Sequence, residues 1–144
     1  LKKMKWISQL IFVFVIMSSC KSQKINDFST SSITYTAQSR GVYLSVWVEN
    51  QKVWVIKGRN EKPYEVVLTA QEMKELESIF SAMNLEKVPS LKAPTAKRLY
   101  DGAAIANLAI SDGGKAYISK SFDHGFPPKD IEKIVTLLVS YSEK

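Results

Sequence analysis

The sequence predicts an α+β domain: one mostly antiparallel sheet of about six strands with two helices packed on a single face, in the order ββββαββα. Three observations lead there. Apolar residues alternate with a period of two through residues 33–56, two later segments carry apolar residues at spacings of three and four, and turn-forming residues separate the runs.

Ile33, Tyr35 and Ala37 fall on one face of a first strand, and after Ser39, Arg40 and Gly41 a second strand runs from Val42 to Val48. The third, Lys52 to Lys57, follows a short connection. A two-residue turn at Asn50 and Gln51 sets Trp47 opposite Trp54, Val46 opposite Val55 and Val48 opposite Val53. One face of this hairpin is then aliphatic and the other aromatic. Tyr64 to Leu68 makes a fourth strand.

Thr69-Ala-Gln-Glu72 has the spacing of a capping box, and Met73, Leu76, Ile79, Phe80 and Met83 form the apolar stripe of the helix it starts. Prolines 89 and 94 make residues 88–97 irregular. Residues 103–110 and 115–122 read as strands five and six, joined by a turn at Asp112, Gly113 and Gly114. Ile131, Ile134, Val135, Leu138 and Tyr141 then mark a final helix over 129–141. Between strand six and that helix lies Ser-Phe-Asp-His-Gly-Phe-Pro-Pro (121–128), which holds the chain's only histidine, His124. Gly125 permits a backbone geometry other residues resist and Pro128 suits a first helical turn, so the octapeptide reads as the join between sheet and helix.

At 144 residues and 45% apolar, the chain is sized for a single core. Its formal charge of +6 falls to +3 once Lys2, Lys3 and Lys5 are set aside as part of a leader, leaving 17 basic and 14 acidic residues. These alternate in sign along the chain and form no basic stripe, which argues against nucleic acid as a partner.

The leader is the most specific feature. Three lysines precede an apolar run from Trp6 to Met17, too short for the roughly 20 residues that span a bilayer core. Met17-Ser18-Ser19-Cys20 then resembles the lipobox of bacterial lipoproteins, in which the cysteine receives a diacylglycerol thioether and, after cleavage, an N-acyl chain. Cys20 is the only cysteine, so a disulfide and a thiolate nucleophile are both excluded from the mature domain. The resemblance implies a signal peptide over 1–19, a lipidated cysteine and flexible tether over 20–31, and one globular domain over 32–144. It also implies membrane attachment through Cys20. The absence of acidic residues at 21–24 points to an outer membrane, with the domain facing the periplasm. In layout the domain is similar to the small single-domain lipoproteins of Gram-negative bacteria, a likeness that brings no catalytic motif with it.

Catalytic vocabulary is sparse. One histidine and no free cysteine give neither a His/Cys metal site nor a Cys/His pair, and no cofactor is expected. A hydrolase-like reading would need His124 joined to a carboxylate and to a serine or threonine. The preferred reading is non-enzymatic binding of an envelope protein or a glycan, with Tyr43, Trp47 and Trp54 as the platform if both helices cover the valine face. Arg40 is expected to form a structural ion pair with Asp101 or Asp123.

Overall fold

The computed structural model describes residues 25–144. Cys20 and the leader lie outside the described residues. The sheet comprises β1 (Ser32–Gln38), β2 (Tyr43–Glu49), β3 (Lys52–Ile56), β4 (Tyr64–Val66), β5 (Ile105–Asp112), β6 (Lys115–Ile118) and β7 (Phe122–Asp123). Spatial order is β4-β3-β2-β1-β5-β6, with β7 also paired to β5, and every pairing is antiparallel. The helices are α1 (Ala70–Ser81) and α2 (Glu132–Tyr141), with short 3-10 helices at Leu85–Ser90, Lys97–Tyr100 and Lys129–Ile131. This is the α+β arrangement that the alternating and helical periods predict.

Local chemistry explains the element ends. Asn50 and Gln51 both adopt positive φ, 51° and 60°, and close the β2–β3 hairpin in the register that sets Trp47 against Trp54. Thr69 and Glu72 complete the capping box at α1, each side chain taking a backbone N–H of the other residue. Gly113 and Gly114 supply the positive φ of the β5–β6 turn.

The predicted sixth strand is interrupted. Ile118 pairs with Ala109 and Phe122 with Ala106, so three residues of the outer strand stand opposite two of β5. That surplus residue is a β-bulge. Side chains replace the lost ladder bonds: Ser119 Oγ accepts from the Leu108 N–H, and Asn107 Nδ2 donates to the Ser119 carbonyl. The last helix begins as a 3-10 turn at Lys129, and Pro128 takes its N-cap position.

Every strand that meets the helices sends alternate residues to them. Ile33, Tyr35, Val46, Val48, Val53, Val55, Leu108 and Ile110 are buried with Leu76 and Phe80 of α1 and Ile134, Val135 and Leu138 of α2 in one core. All members of this core lie within residues 28–141.

Part of the segment expected as tether, residues 26–31, packs on the domain instead. Phe28 is buried against Phe80 at 5.7 Å between ring centroids, and Asn26 Nδ2 donates to the carbonyls of Phe80 and Met83. Ser31 adds a hydroxyl bond to the buried Asp112 carboxylate at 2.7 Å. The apolar phenyl ring and the amide bonds from Asn26 to carbonyls at and just beyond the end of α1 together dock residues 26–31 onto the domain.

Candidate functional site

Two places gather the residues marked by the sequence. The first is the sheet face turned away from the helices. Thr34, Trp47, Trp54 and Glu65 form one cross-strand row, and Thr36, Ser45 and Ile56 the next, with Asn107 opposite Thr36. Trp47 and Trp54 stack with centroids 6.4 Å apart and planes inclined by 18°, an offset arrangement suited to indole quadrupoles. Both are half-buried and stand outside the core. Tyr43 ends the same face of β2, with the Arg59 guanidinium 5.8 Å above its ring. The helices therefore cover the valine face, the condition on which the aromatic platform depended.

The second place is the end of the sheet where β1 turns into β2 and the chain enters β5. Asp123 is fully buried there, and its carboxylate organises the irregular segment before β5. Oδ2 accepts from the Thr95 hydroxyl at 2.5 Å and the Lys97 N–H at 2.6 Å; Oδ1 accepts from the Arg98 N–H at 2.9 Å and the Arg98 guanidinium at 3.1 Å. Burial alone would raise the Asp123 pKa, but the bonds from Thr95, Arg98 and Lys97 prevail and hold it well below the usual carboxylate range. Two of these donors are the opening N–H groups of the Lys97–Tyr100 helix, so the aspartate also serves as that helix's anionic cap.

This corrects the expected pairing of Arg40. The ion-pair partner of Asp123 is Arg98, with a side chain only 18% exposed. Arg40 is exposed and, among the described residues, lies beyond salt-bridge distance of any carboxylate. Asp101 shares a surface depression with Arg40 but is not its partner. Thr95 and Arg98 were not identified as site residues in the sequence. They belong to the proline-bounded stretch without periodicity, and only an arginine close before a glycine-containing turn hinted at them.

His124 is tied elsewhere. Its Nδ1 is 2.7 Å from the Tyr35 hydroxyl, and its backbone N–H donates to the Ala104 carbonyl. Burial pushes Tyr35 up, so it remains a phenol and a donor, and burial pushes His124 down toward the neutral imidazole that accepts. With Nδ1 accepting, the ring proton sits on Nε2. The adjacent carboxylate of Asp123 is committed to Thr95, Lys97 and Arg98 and is not the group that would orient this ring in a hydrolytic triad.

Comparison with protein-family models, with curated proteins and with solved structures found no match. Among the described residues, no group of three or more His, Cys, Asp and Glu side chains is placed to hold a metal ion, and no helix is long and apolar enough to cross a membrane.

Proposed function

We infer that the protein is a lipid-anchored component of the bacterial cell envelope, held to the outer membrane through Cys20, whose domain is a non-enzymatic binding module. The Met17-Ser18-Ser19-Cys20 motif supports the anchor. Two or three acyl chains, at about 0.8 kcal/mol per buried CH₂, give durable attachment while the domain stays in water. The binding reading is carried by one observation: Trp47 and Trp54 stack, half-exposed, on the face opposite the helices.

That face fits a neutral glycan better than a charged partner. Around the indoles stand Thr34, Thr36, Ser45 and Asn107, which offer hydroxyl and amide groups, and the carboxylate in the row, Glu65, is balanced by Lys52 at 3.9 Å. Indole faces take the apolar C–H side of a sugar ring, while neighbouring hydroxyls and amides meet its OH groups. Two measurements test the reading. Metabolic labelling with an alkyne fatty acid should mark the wild-type chain and not Cys20→Ala, which should also leave the membrane fraction. Titration with soluble cell-wall glycan fragments should shift the tryptophan emission, and Trp47→Ala should abolish that shift. An unlabelled wild-type chain overturns the anchor. Unchanged emission, alongside retention of a protein partner from solubilised envelope, overturns the glycan.

A further inference from the structure

Opposite the docked N-terminal segment, at the Gln38–Tyr43 end of the sheet, two loops face each other across a depression lined by Ser39, Arg40, Val42, Asp101, Gly102 and Ala103 among others. A guanidinium and a carboxylate thus line the same hollow without pairing. Left apart, they complement a ligand that has an oxyanion with an N–H donor beside it. Cations outnumber acids at the rim. Arg59 donates to the Ser39 carbonyl, and Lys97 lies 4.0 Å over the Phe126 ring, whereas the nearby Asp123 is already balanced by Arg98.

The rim is also apolar where a chain would leave the hollow. Val42, which lines it, is 42% exposed, and Tyr100, next to the lining residue Asp101, is 72% exposed. The Tyr100 ring lies over Gly102: its Cε2 is 2.7 Å from where a Cβ at 102 would stand, so a side chain there would push the ring aside. Asp101, just before it, holds a left-handed φ of 59°. The buried Asp123 network fixes the helix that this strained turn ends, which orders an exposed loop with groups taken from the interior.

We propose that this depression binds the free C-terminal end of a peptide, with the terminal carboxylate on Arg40, the last amide N–H donating to Asp101, and the preceding side chain against Tyr100 and Val42. The site is separate from the tryptophan face and stands or falls without it. The test uses the chain from residue 20 onward carrying Cys20→Ser, which contains the whole core. It is titrated calorimetrically with Nα-acetyl-alanyl-alanine and with the same dipeptide as its C-terminal amide. The acid should bind at least about tenfold more tightly than the amide, the worth of one charge-assisted bidentate contact. Arg40→Gln should lose about the same factor without a change in melting temperature, because the side chain has no ion pair to break. Asp101→Asn should weaken the acid and the amide alike. Equal binding of acid and amide, no binding below about 10 mM, or unaltered affinity in Arg40→Gln would each overturn the proposal. Acetate or inorganic phosphate binding as tightly as the dipeptide would replace it with a general anion site.

Discussion

Val46 and Trp47 are neighbours in the chain and inhabit different surroundings. Val46 is inaccessible, set between sheet and helices, and is paired with Val55; Trp47 is half-exposed, paired with Trp54, and flanked by threonine and serine. The same alternation of buried and more exposed positions runs across β1, β2, β3 and β5, with mostly apolar side chains on the helix side and a mixture of hydroxyl, amide, indole, charged and aliphatic groups on the other. One face is thus occupied with holding the fold, and the other is left with side chains whose chemistry suits a partner. A domain of this size needs only one well-filled face to be stable, which leaves the composition of the second face open to other demands.

Substitutions that treat the two faces unequally sharpen this contrast. Leu108→Ala on the covered face removes a fully buried side chain beneath two helices and should cost about 3–4 kcal/mol in chemical denaturation. At the sheet end, Asp123→Ala should cost about 3 kcal/mol, the lower end for breaking a buried pair, because Arg98 retains partial access to water. Its pH signature is distinct. Asp123 is more acidic folded than unfolded, so its contribution is complete above the ordinary carboxylate pKa near 4 and fades as pH falls from there toward the depressed value. The variant should show a shallower acid limb than wild type; parallel limbs would mean that the carboxylate network is not what acid disrupts.

Trp47→Ala on the uncovered face should cost only about 1–2 kcal/mol, the indole stack plus partial burial. A loss as large as that of Leu108→Ala would erase the distinction between the faces. His124 gives a smaller, pH-dependent effect. Burial lowers its pKa, so the neutral ring is the folded form, and its share of stability is complete above the unfolded pKa of about 6.5 and declines below it. Thermal scans between pH 7 and 5 should show that slope in wild type and not in His124→Gln. The smallest change comes from Tyr141, whose buried hydroxyl has no hydrogen-bond partner among the described residues. Tyr141→Phe should leave the melting temperature unchanged or raise it slightly, since it removes a desolvated polar group and no bond.

Regular elements were legible in the sequence because their signals are local. The Asn50-Gln51 turn, the Thr69–Glu72 box and the two helical stripes each specify geometry within a few residues, and the tryptophan pairing followed from the turn alone. What escaped is non-local. Arg98 reaches Asp123 across 25 positions, and Asn26 reaches the α1 carbonyls across more than 50. Neither partner carries a periodicity, because each contact satisfies backbone or charge left over at the end of an element. Arg40 was the more visible arginine, set in a serine-glycine turn, yet its loop stands across a depression from Asp101 and makes no bond with Asp123.

The bulge opposite Asn107 and Leu108 acts as a counting device. One surplus residue among Ser119, Lys120 and Ser121 is absorbed there, so that Ile118 faces outward and Phe122 inward although they stand four positions apart, and Asp123 falls opposite Ile105, within reach of residues 95–98. Lys120 is exposed and has no ion-pair partner among the described residues, and replacing it should hardly register in a melting curve. Deleting it should close the bulge and keep the register, with Ser119 opposite Leu108, Ser121 opposite Asn107 and Phe122 still opposite Ala106. At that position the strand can lose a residue without turning its faces over.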